Sequence, residues 1–346
     1  MPLIHINDAQ EPIDAGQRFI LEAALDAGVP LPHGCSVGEC GGCKCRLLAG
    51  EIRMDTYSRD ALTAEETADG LILACRARPL GDVHIRTLEE ALSSPVVTIR
   101  ARVSGVVRLT HDVVELTLTL DDDSRFFFKP GQFARLGFKN LPVRSYSMAN
   151  RPGEGQLVFH IRVLPEGQVS QYVANSLKGG EIVKVQGPFG DAYWRHATDA
   201  PLLLLAGGTG LAPILSVLHA ALADGQAPRQ IHLYHGVRTE ADLYAGDLLR
   251  QLSRDLGFRF VPVYSQASDP EARSLHLHEA VADDFDALEG ATIYVCGPPP
   301  MVAAATAIAK VRGAAPACIW ADAFHAAPPE KKTLWRRITG AMRLAA

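Results

Sequence analysis

Residues 32–45 read PHGCSVGECGGCKC, which places four of the chain's seven cysteines in one glycine-rich loop without an aromatic residue. Cys35, Cys40 and Cys43 are spaced C-x4-C-x2-C, and Cys75 in LILACRA follows about thirty residues on. That is the arrangement of plant-type [2Fe–2S] centres, three ligands on one loop and a fourth from elsewhere. A loop wrapped around such a group needs its backbone close to the sulfides, and Gly34, Gly38, Gly41 and Gly42 allow that approach where bulky rings would not fit. Zinc is the rival, but its usual sites pair two C-x2-C knuckles or mix Cys with His, and no second knuckle accompanies Cys75. Cys45 falls on the opposite side of the extended KCRLL stretch and is read as a core thiol.

The flanks of the loop describe a small α+β domain. PLIHIND and DVHIRT read as strands, and FILEAALDAGV as a short helix with Ile20, Ala23, Ala24 and Ala27 on its apolar face. A plant-type ferredoxin (β-grasp) domain is expected over residues 1–92.

After SSP at 93–95 the pattern changes to alternating stretches separated by Gly, Pro and Asp turns: VTIRARVSGVVRL, VVELTLTL, FARLGF, QLVFHIRVL and IVKVQGPFG. They predict an antiparallel β-barrel over 96–195. From residue 196 to 327 compact apolar runs (PLLLLAG, QIHLYHGV, FRFVPVYS, TIYVCG, ACIWAD) alternate with helical segments, which predicts a doubly wound parallel sheet of the nucleotide-binding kind. GGTGLAP lies between the first such strand and its helix, where glycines let the backbone approach a pyrophosphate and the helix start favours its charge. Gly208 and Gly210 stand at the first two fingerprint positions and Pro213 at the third. The long uncharged run over 201–223 is interrupted by this loop and reads as strand, turn and helix rather than a membrane span.

Composition narrows the function. The chain has 346 residues, too many for one typical domain, and a net charge of −5 gives no global basic surface for nucleic acid. The N-terminus has early acidic residues and no basic-then-apolar run, so no secretory signal is read and a cytoplasmic location is expected. In that compartment clustered cysteines mean metal or catalysis, not disulfides.

Taken in order, CSVGECGGCKC…C, RSYS, GQVSQYV, GPFG, GGTGLAP, YVCGPPPMV and ADAF resemble the iron–sulfur flavoprotein reductases that feed bacterial oxygenases, the naphthalene dioxygenase reductase-like family, over residues 3–325. The resemblance implies a [2Fe–2S] cluster on Cys35, Cys40, Cys43 and Cys75, with FAD and NAD as further cofactors. It implies that Arg144 faces the FAD pyrophosphate, Tyr146 covers the isoalloxazine and Ser147 bonds near flavin N5, with Ser145 in the same motif. His160, Ile161 and Arg162, together with Gly167, Val169 and Ser170, are further implied FAD contacts. By residue type alone, His160 is more often simply a half-exposed strand histidine, and Arg162 reads equally as a cofactor contact or a solvated charge. Ser170 is read as the start of a helix whose N-terminus faces the diphosphate. GPFG is read as a turn at the end of the barrel. Gly208, Thr209, Gly210, Pro213, Gly297, Pro298 and Met301 are implied to hold the coenzyme, Cys296 to border the nicotinamide C4, and Phe324 to lie against the flavin until nicotinamide displaces it. No base is identifiable beside Cys296, so a buried inert thiol competes with that role, and Cys318 is read as buried and inert.

The chain departs from its family after ADAF by continuing over 328–346, where Leu334, Ile338 and Met342 recur near helical spacing among basic residues. Disorder or packing on its own protein is preferred there over contact with an acidic partner or a membrane surface. No acidic residue closes the second parallel strand at LYHGVR, and Arg238 can accept a 2′-phosphate. Gln266 stands where phosphate-selective relatives carry arginine, so NADH is expected with NADPH tolerated. The electron acceptor is a ferredoxin or the terminal oxygenase. The alternatives are the reductase of a multicomponent monooxygenase or of deoxysugar synthesis, and a zinc- or cysteine-rich sensor without catalysis.

Overall fold

The computed structural model describes residues 2–7, 11–29, 31–33, 38, 41–59, 61–88, 96–121, 126–195, 200–224, 230–267 and 274–324. Cys35, Cys40 and the basic segment 328–346 lie outside the described residues.

The N-terminal module holds β1 (Leu3–Ile6), β2 (Ile13–Asp14), α1 (Ile20–Asp26), β3 (Lys44–Ala49), β4 (Ile52–Met54), α2 (Ala64–Ala68), β5 (Leu71–Leu73), β6 (Ala77–Pro79) and β7 (Val83–Thr87). Its main sheet has the order β2–β1–β7–β3–β5. β7, the last strand of this module in sequence, is central, parallel to β1 and antiparallel to β3. Its alternation accounts for that place, since Val83 and Ile85 are buried while His84 and Arg86 face outward. α1 buries Ile20, Leu21, Ala23, Ala24 and Leu25. Ala27, expected on the apolar face, is exposed because the helix ends at Asp26 and Leu25 takes the inward position. Cys45 is in the core, as its strand alternation requires.

The second module is the six-stranded antiparallel sheet β11–β10–β13–β8–β9–β12, formed by β8 (Val97–Arg108), β9 (Val113–Thr119), β10 (Phe133–Gly137), β11 (Arg144–Ser147), β12 (Gln156–Arg162) and β13 (Ile182–Phe189), with α3 (Gln168–Asn175) between β12 and β13. Its end strands meet at a Met148–Phe159 bridge and an Ala149 N–H to Val158 carbonyl bond of 2.8 Å, which nearly closes the barrel. Leu116, Leu118 and Phe159 fill its interior. GPFG is not a plain turn: β13 continues through Phe189, and the chain turns at Gly190 with φ +97°.

The third module is the parallel sheet β16–β15–β14–β17–β18, built from β14 (Leu202–Gly207), β15 (Ile231–Val237), β16 (Arg259–Tyr264), β17 (Thr292–Gly297) and β18 (Ile319–Ala323), with α4 (Leu211–Ala223), α5 (Gly246–Leu256), α6 (Leu277–Asp284) and α7 (Pro299–Val311). Every residue of β14 is buried, as expected of a strand in a parallel sheet covered on both faces. The long uncharged run thus divides into β14, a glycine turn and α4, and no helix among the described residues is long and apolar enough to cross a membrane.

Candidate active site

Two of the four proposed cluster ligands lie in the described residues, and the fold brings them together. Cys43 and Cys75 are both buried, with the Cys75 N–H directed at Cys43 Sγ over 3.5 Å. An amide aimed at sulfur is what an electron-rich thiolate requires, and hydrogen bonds to the sulfurs tune such centres. Gly41 has φ +74°, and a Cβ there would stand 2.9 Å from the Ala61 carbonyl, so the cradle admits backbone alone at this point. These features fit a [2Fe–2S] group. Burial, with Cys75 second, pushes the Cys45 thiol up to about 12, in keeping with its place in the core. Lys44 pairs with Glu66 at 2.6 Å inside its own module.

The cluster loop leans on the barrel through His33, two residues before Cys35. Its ring meets Phe133 of β10 and Phe189 of β13 edge-on, with centroids 5.9 and 5.5 Å away. Nδ1 lies 2.7 Å from the Leu31 carbonyl, and burial lowers the imidazole to about 4, so it is neutral at pH 7. Arg135 stacks over Phe189 at 4.8 Å; burial pulls its guanidinium down, and Asp26 and Glu22 around α1 counter that effect. Phe133 is in turn the register partner of Ser147. One phenylalanine therefore separates the cluster loop from the strand proposed to carry flavin.

That strand, RSYS, is β11, an edge of the barrel sheet. Arg144 and Tyr146 alternate onto one face, with Ser145 and Ser147 on the other. Tyr146 is partly buried, and that burial raises its phenol to about 12, so the ring is a neutral stacking surface. Ser147 is buried and Arg144 is accessible at the strand's start. A cation, a half-covered ring and a hydroxyl along one edge suit a flavin mononucleotide moiety.

The surroundings of the other implied flavin contacts differ from what residue type alone suggests. His160 is not half-exposed: 8% of it is accessible, with Nδ1 3.1 Å from the Tyr244 hydroxyl. Arg162 is neither free nor merely solvated, because Nε pairs with Asp112 at 3.0 Å. The Ile161 and Val169 side chains belong to the barrel core, leaving only their backbones for a ligand. α3 begins at Gln168 with Gly167 as its cap, two residues earlier than expected. The Ser170 hydroxyl is spent inside that turn, donating to the Gly167 carbonyl at 3.1 Å and accepting the Leu164 N–H at 3.1 Å.

At the carboxyl edge of the parallel sheet two glycine turns face each other. Gly210 is forced by proximity, since a Cβ would lie 2.1 Å from the Cys296 carbonyl. Pro213 is buried in the first turn of α4. Gly207, Gly208, Thr209, Pro298 and Met301 line one side of a cleft of about 190 Å³, and Asp112 and Arg162 of the barrel line another. Cys296 is almost wholly buried, and burial first, then Asp322, pushes its thiol well above the ordinary range, which favours the neutral thiol over the thiolate. The Phe324 N–H bonds the Gly297 carbonyl at 2.8 Å, which places this aromatic residue beside the second glycine turn. Cys318 is partly exposed rather than buried, because it sits in a short turn before β18.

Arg238 follows the second parallel strand as expected, but its charge is matched: Asp242 lies 3.4 Å and Asp112 3.6 Å away. His33, Phe133, Asp112, His235 and Tyr244 escaped the sequence reading. His33 stood in the quoted loop among cysteines and glycines whose spacing carried the signal, and Tyr244 carried no signal beyond its place in TEADLY.

Comparison with known proteins agrees with this layout. Residues 4–80 match the 2Fe-2S iron-sulfur cluster binding domain, 100–194 the oxidoreductase FAD-binding domain and 204–307 the oxidoreductase NAD-binding domain. The reductase component of a Pseudomonas putida naphthalene 1,2-dioxygenase system is 34% identical over 93% of this chain and 98% of its own length. This chain belongs to the three-module ferredoxin reductase family. The reductase is also 35% identical to the reductase subunit of an Amycolatopsis aromatic O-demethylase, over 89% of this chain and 94% of that one. The crystal structure of an Amycolatopsis cytochrome P450 reductase matches with a TM-score of 0.78 at 34% identity, covering 94% of this chain and 99% of that one. The ferredoxin reductase of a carbazole 1,9a-dioxygenase matches with a TM-score of 0.71 at 28% identity, over 94% of this chain and 98% of that one. The protein is accordingly an NAD(P)H-dependent iron–sulfur flavoprotein oxidoreductase that uses a [2Fe–2S] cluster, FAD and NAD(H).

Proposed function

We propose that the reductase serves an aromatic-ring dioxygenase, receiving hydride from NADH and passing single electrons to a ferredoxin or directly to the terminal oxygenase. The observation that carries this route is Phe133, which touches His33 of the cluster loop and is paired in register with Ser147. Bound flavin supplies the conversion of a hydride pair to single electrons, and the bound cluster carries them singly.

The residues have the following roles in this reading. Arg144 binds the flavin phosphate, Tyr146 stacks on the ring and Ser147 offers a hydroxyl to it. Gly208, Thr209 and Gly210 admit the coenzyme pyrophosphate to backbone amides. Gly297, Pro298 and Met301 shape the facing wall. Cys296 borders the nicotinamide as a neutral thiol, and Phe324 shields the flavin edge until nicotinamide takes its place. Cys35, Cys40, Cys43 and Cys75 supply the thiolates. The modules are divided as 1–92, 96–195 and 196–327. NADH is preferred and NADPH tolerated, since Arg238 already has two carboxylates near it.

A monooxygenase or cytochrome P450 system is the second reading, favoured by the identity to the O-demethylase subunit. Cys40→Ser separates the two halves of the route: flavin reduction by NADH should persist in stopped flow while electron delivery to a ferredoxin-type acceptor is abolished. Unimpaired delivery would remove the cluster from the route. Turnover with purified ring-hydroxylating and P450-type acceptors decides between the partners.

A further inference from the structure

Two buried histidines and a tyrosine surround the backbone of the first glycine turn. The Gly208 carbonyl receives His235 Nε2 at 3.0 Å and the Tyr244 hydroxyl at 3.4 Å, besides the Leu211 N–H. His160 Nδ1 of the barrel lies 3.1 Å from that same hydroxyl, and His160 Nε2 lies 3.6 Å from Glu115. Both imidazoles stand edge-on to the Tyr244 ring, 5.1 Å away for His160 and 5.4 Å for His235. The cluster therefore spans two modules, from β9 and β12 of the barrel to β15 of the parallel sheet.

Complete burial lowers His235 to about 4, so the ring is neutral at pH 7 and carries a single N–H. Nε2 faces a carbonyl and must hold that hydrogen, which leaves Nδ1 a bare acceptor without a partner among the described residues. An aliphatic side chain would avoid burying that unpaired atom, so the presence of histidine here points to the bond it makes with Gly208.

Gly208 itself explains why its carbonyl needs holding. Its φ is +53°, a conformation glycine enters and leaves easily, and a Cβ there would meet nothing within 4 Å, so packing does not confine it. In a trans peptide the carbonyl and the following N–H point in opposite directions. Holding the Gly208 carbonyl toward His235 and Tyr244 turns the Thr209 N–H away from them. Gly208, Thr209 and Tyr244 all line the cleft.

We propose that His235 and Tyr244 are positioning residues that fix the Gly208–Thr209 peptide so that the Thr209 N–H is presented to the diphosphate of the bound coenzyme, with His160 tying this orientation to the flavin barrel. This rests on the reading of the cleft as the coenzyme site.

The test uses the holoenzyme, with 5′-ADP binding measured by calorimetry and NADH oxidation followed with ferricyanide as acceptor. Loss of one such hydrogen bond is worth about 1 kcal/mol, so H235M and Y244F should each weaken 5′-ADP binding and raise the KM for NADH about fivefold. kcat should stay within about twofold and the flavin absorbance should not move, since the diphosphate is held alike in ground and transition states. H235Q, whose amide restores a donor near the Nε2 position, should regain most of the affinity. The proposal is overturned if Y244F, the nearly isosteric change, binds 5′-ADP like the wild type, or if H235Q does no better than H235M. A wild-type holoenzyme that binds no 5′-ADP would remove the reading of the cleft together with this inference.

Discussion

The barrel meets its two neighbours through different surfaces. Toward the ferredoxin module it presents Phe133 and Phe189, which join that module's own apolar core and enclose the neutral His33. Toward the nucleotide-binding module it adds Val113 and Leu109 to that module's apolar core and presents beside them Asp112 and Arg162, part of a half-exposed ionic chain with Arg238 and Asp242, around the buried His160–Tyr244 contact. Only electrons need cross the first junction, so it can be dry, closely packed and permanent. A dinucleotide must enter and leave the second, and partly exposed ion pairs, each worth about 1 kcal/mol or less, can part and re-form without a large barrier.

The packed junction should respond most strongly to truncation. Phe133→Ala should cost about 3–4 kcal/mol in urea unfolding, because this barrel residue packs into the ferredoxin module's core and against Phe189. A loss below about 1 kcal/mol would mean that the two modules merely touch. The second junction hides a pH dependence of similar origin. His235 titrates near 4 when folded and near its ordinary 6.5 when unfolded. The unfolded chain therefore takes up the proton first as pH falls. The stability contribution is intact above about pH 6.5 and declines by about 3 kcal/mol as pH drops toward 4. Denaturation measured at stepped pH should show this slope, and H235Q should flatten it; an equal slope in both proteins would assign it elsewhere. The smallest effect belongs to the ionic rim. Asp112→Asn should leave Arg238 with less opposing charge and raise the ratio of kcat/KM for NADPH over NADH about threefold, with the gain fading in high salt. An unchanged ratio would mean that Arg238 does not face the coenzyme's ribose.

Features encoded over short spans were legible in the chain alone. The cysteine spacing, the change from alternating to compact apolar runs and the GGTG turn each depend on neighbours a few residues apart. Local readings failed where a side chain's partner was remote. His160 looked half-exposed because strand alternation cannot reveal that Tyr244, 84 positions away, covers it. Ser170 looked like the start of a helix, but α3 begins two residues earlier and the Ser170 hydroxyl bonds back to Leu164 and Gly167. Ala27 and GPFG were misread by a residue or two, as element boundaries commonly are, because the last turn of a helix or strand is set by what it packs on.

By itself, the amino-acid sequence determined the three modules, their order and the residue types able to hold iron–sulfur, flavin and nicotinamide, since periodicity and ligand spacing are properties of neighbouring residues. The folded chain alone reveals that Phe133 and Phe189 join the ferredoxin core, that Arg238 is already balanced by carboxylates, and that His235 and Tyr244 hold the glycine turn with His160 behind them. Those facts follow from burial and from contacts between distant segments, which exist only once the chain has folded.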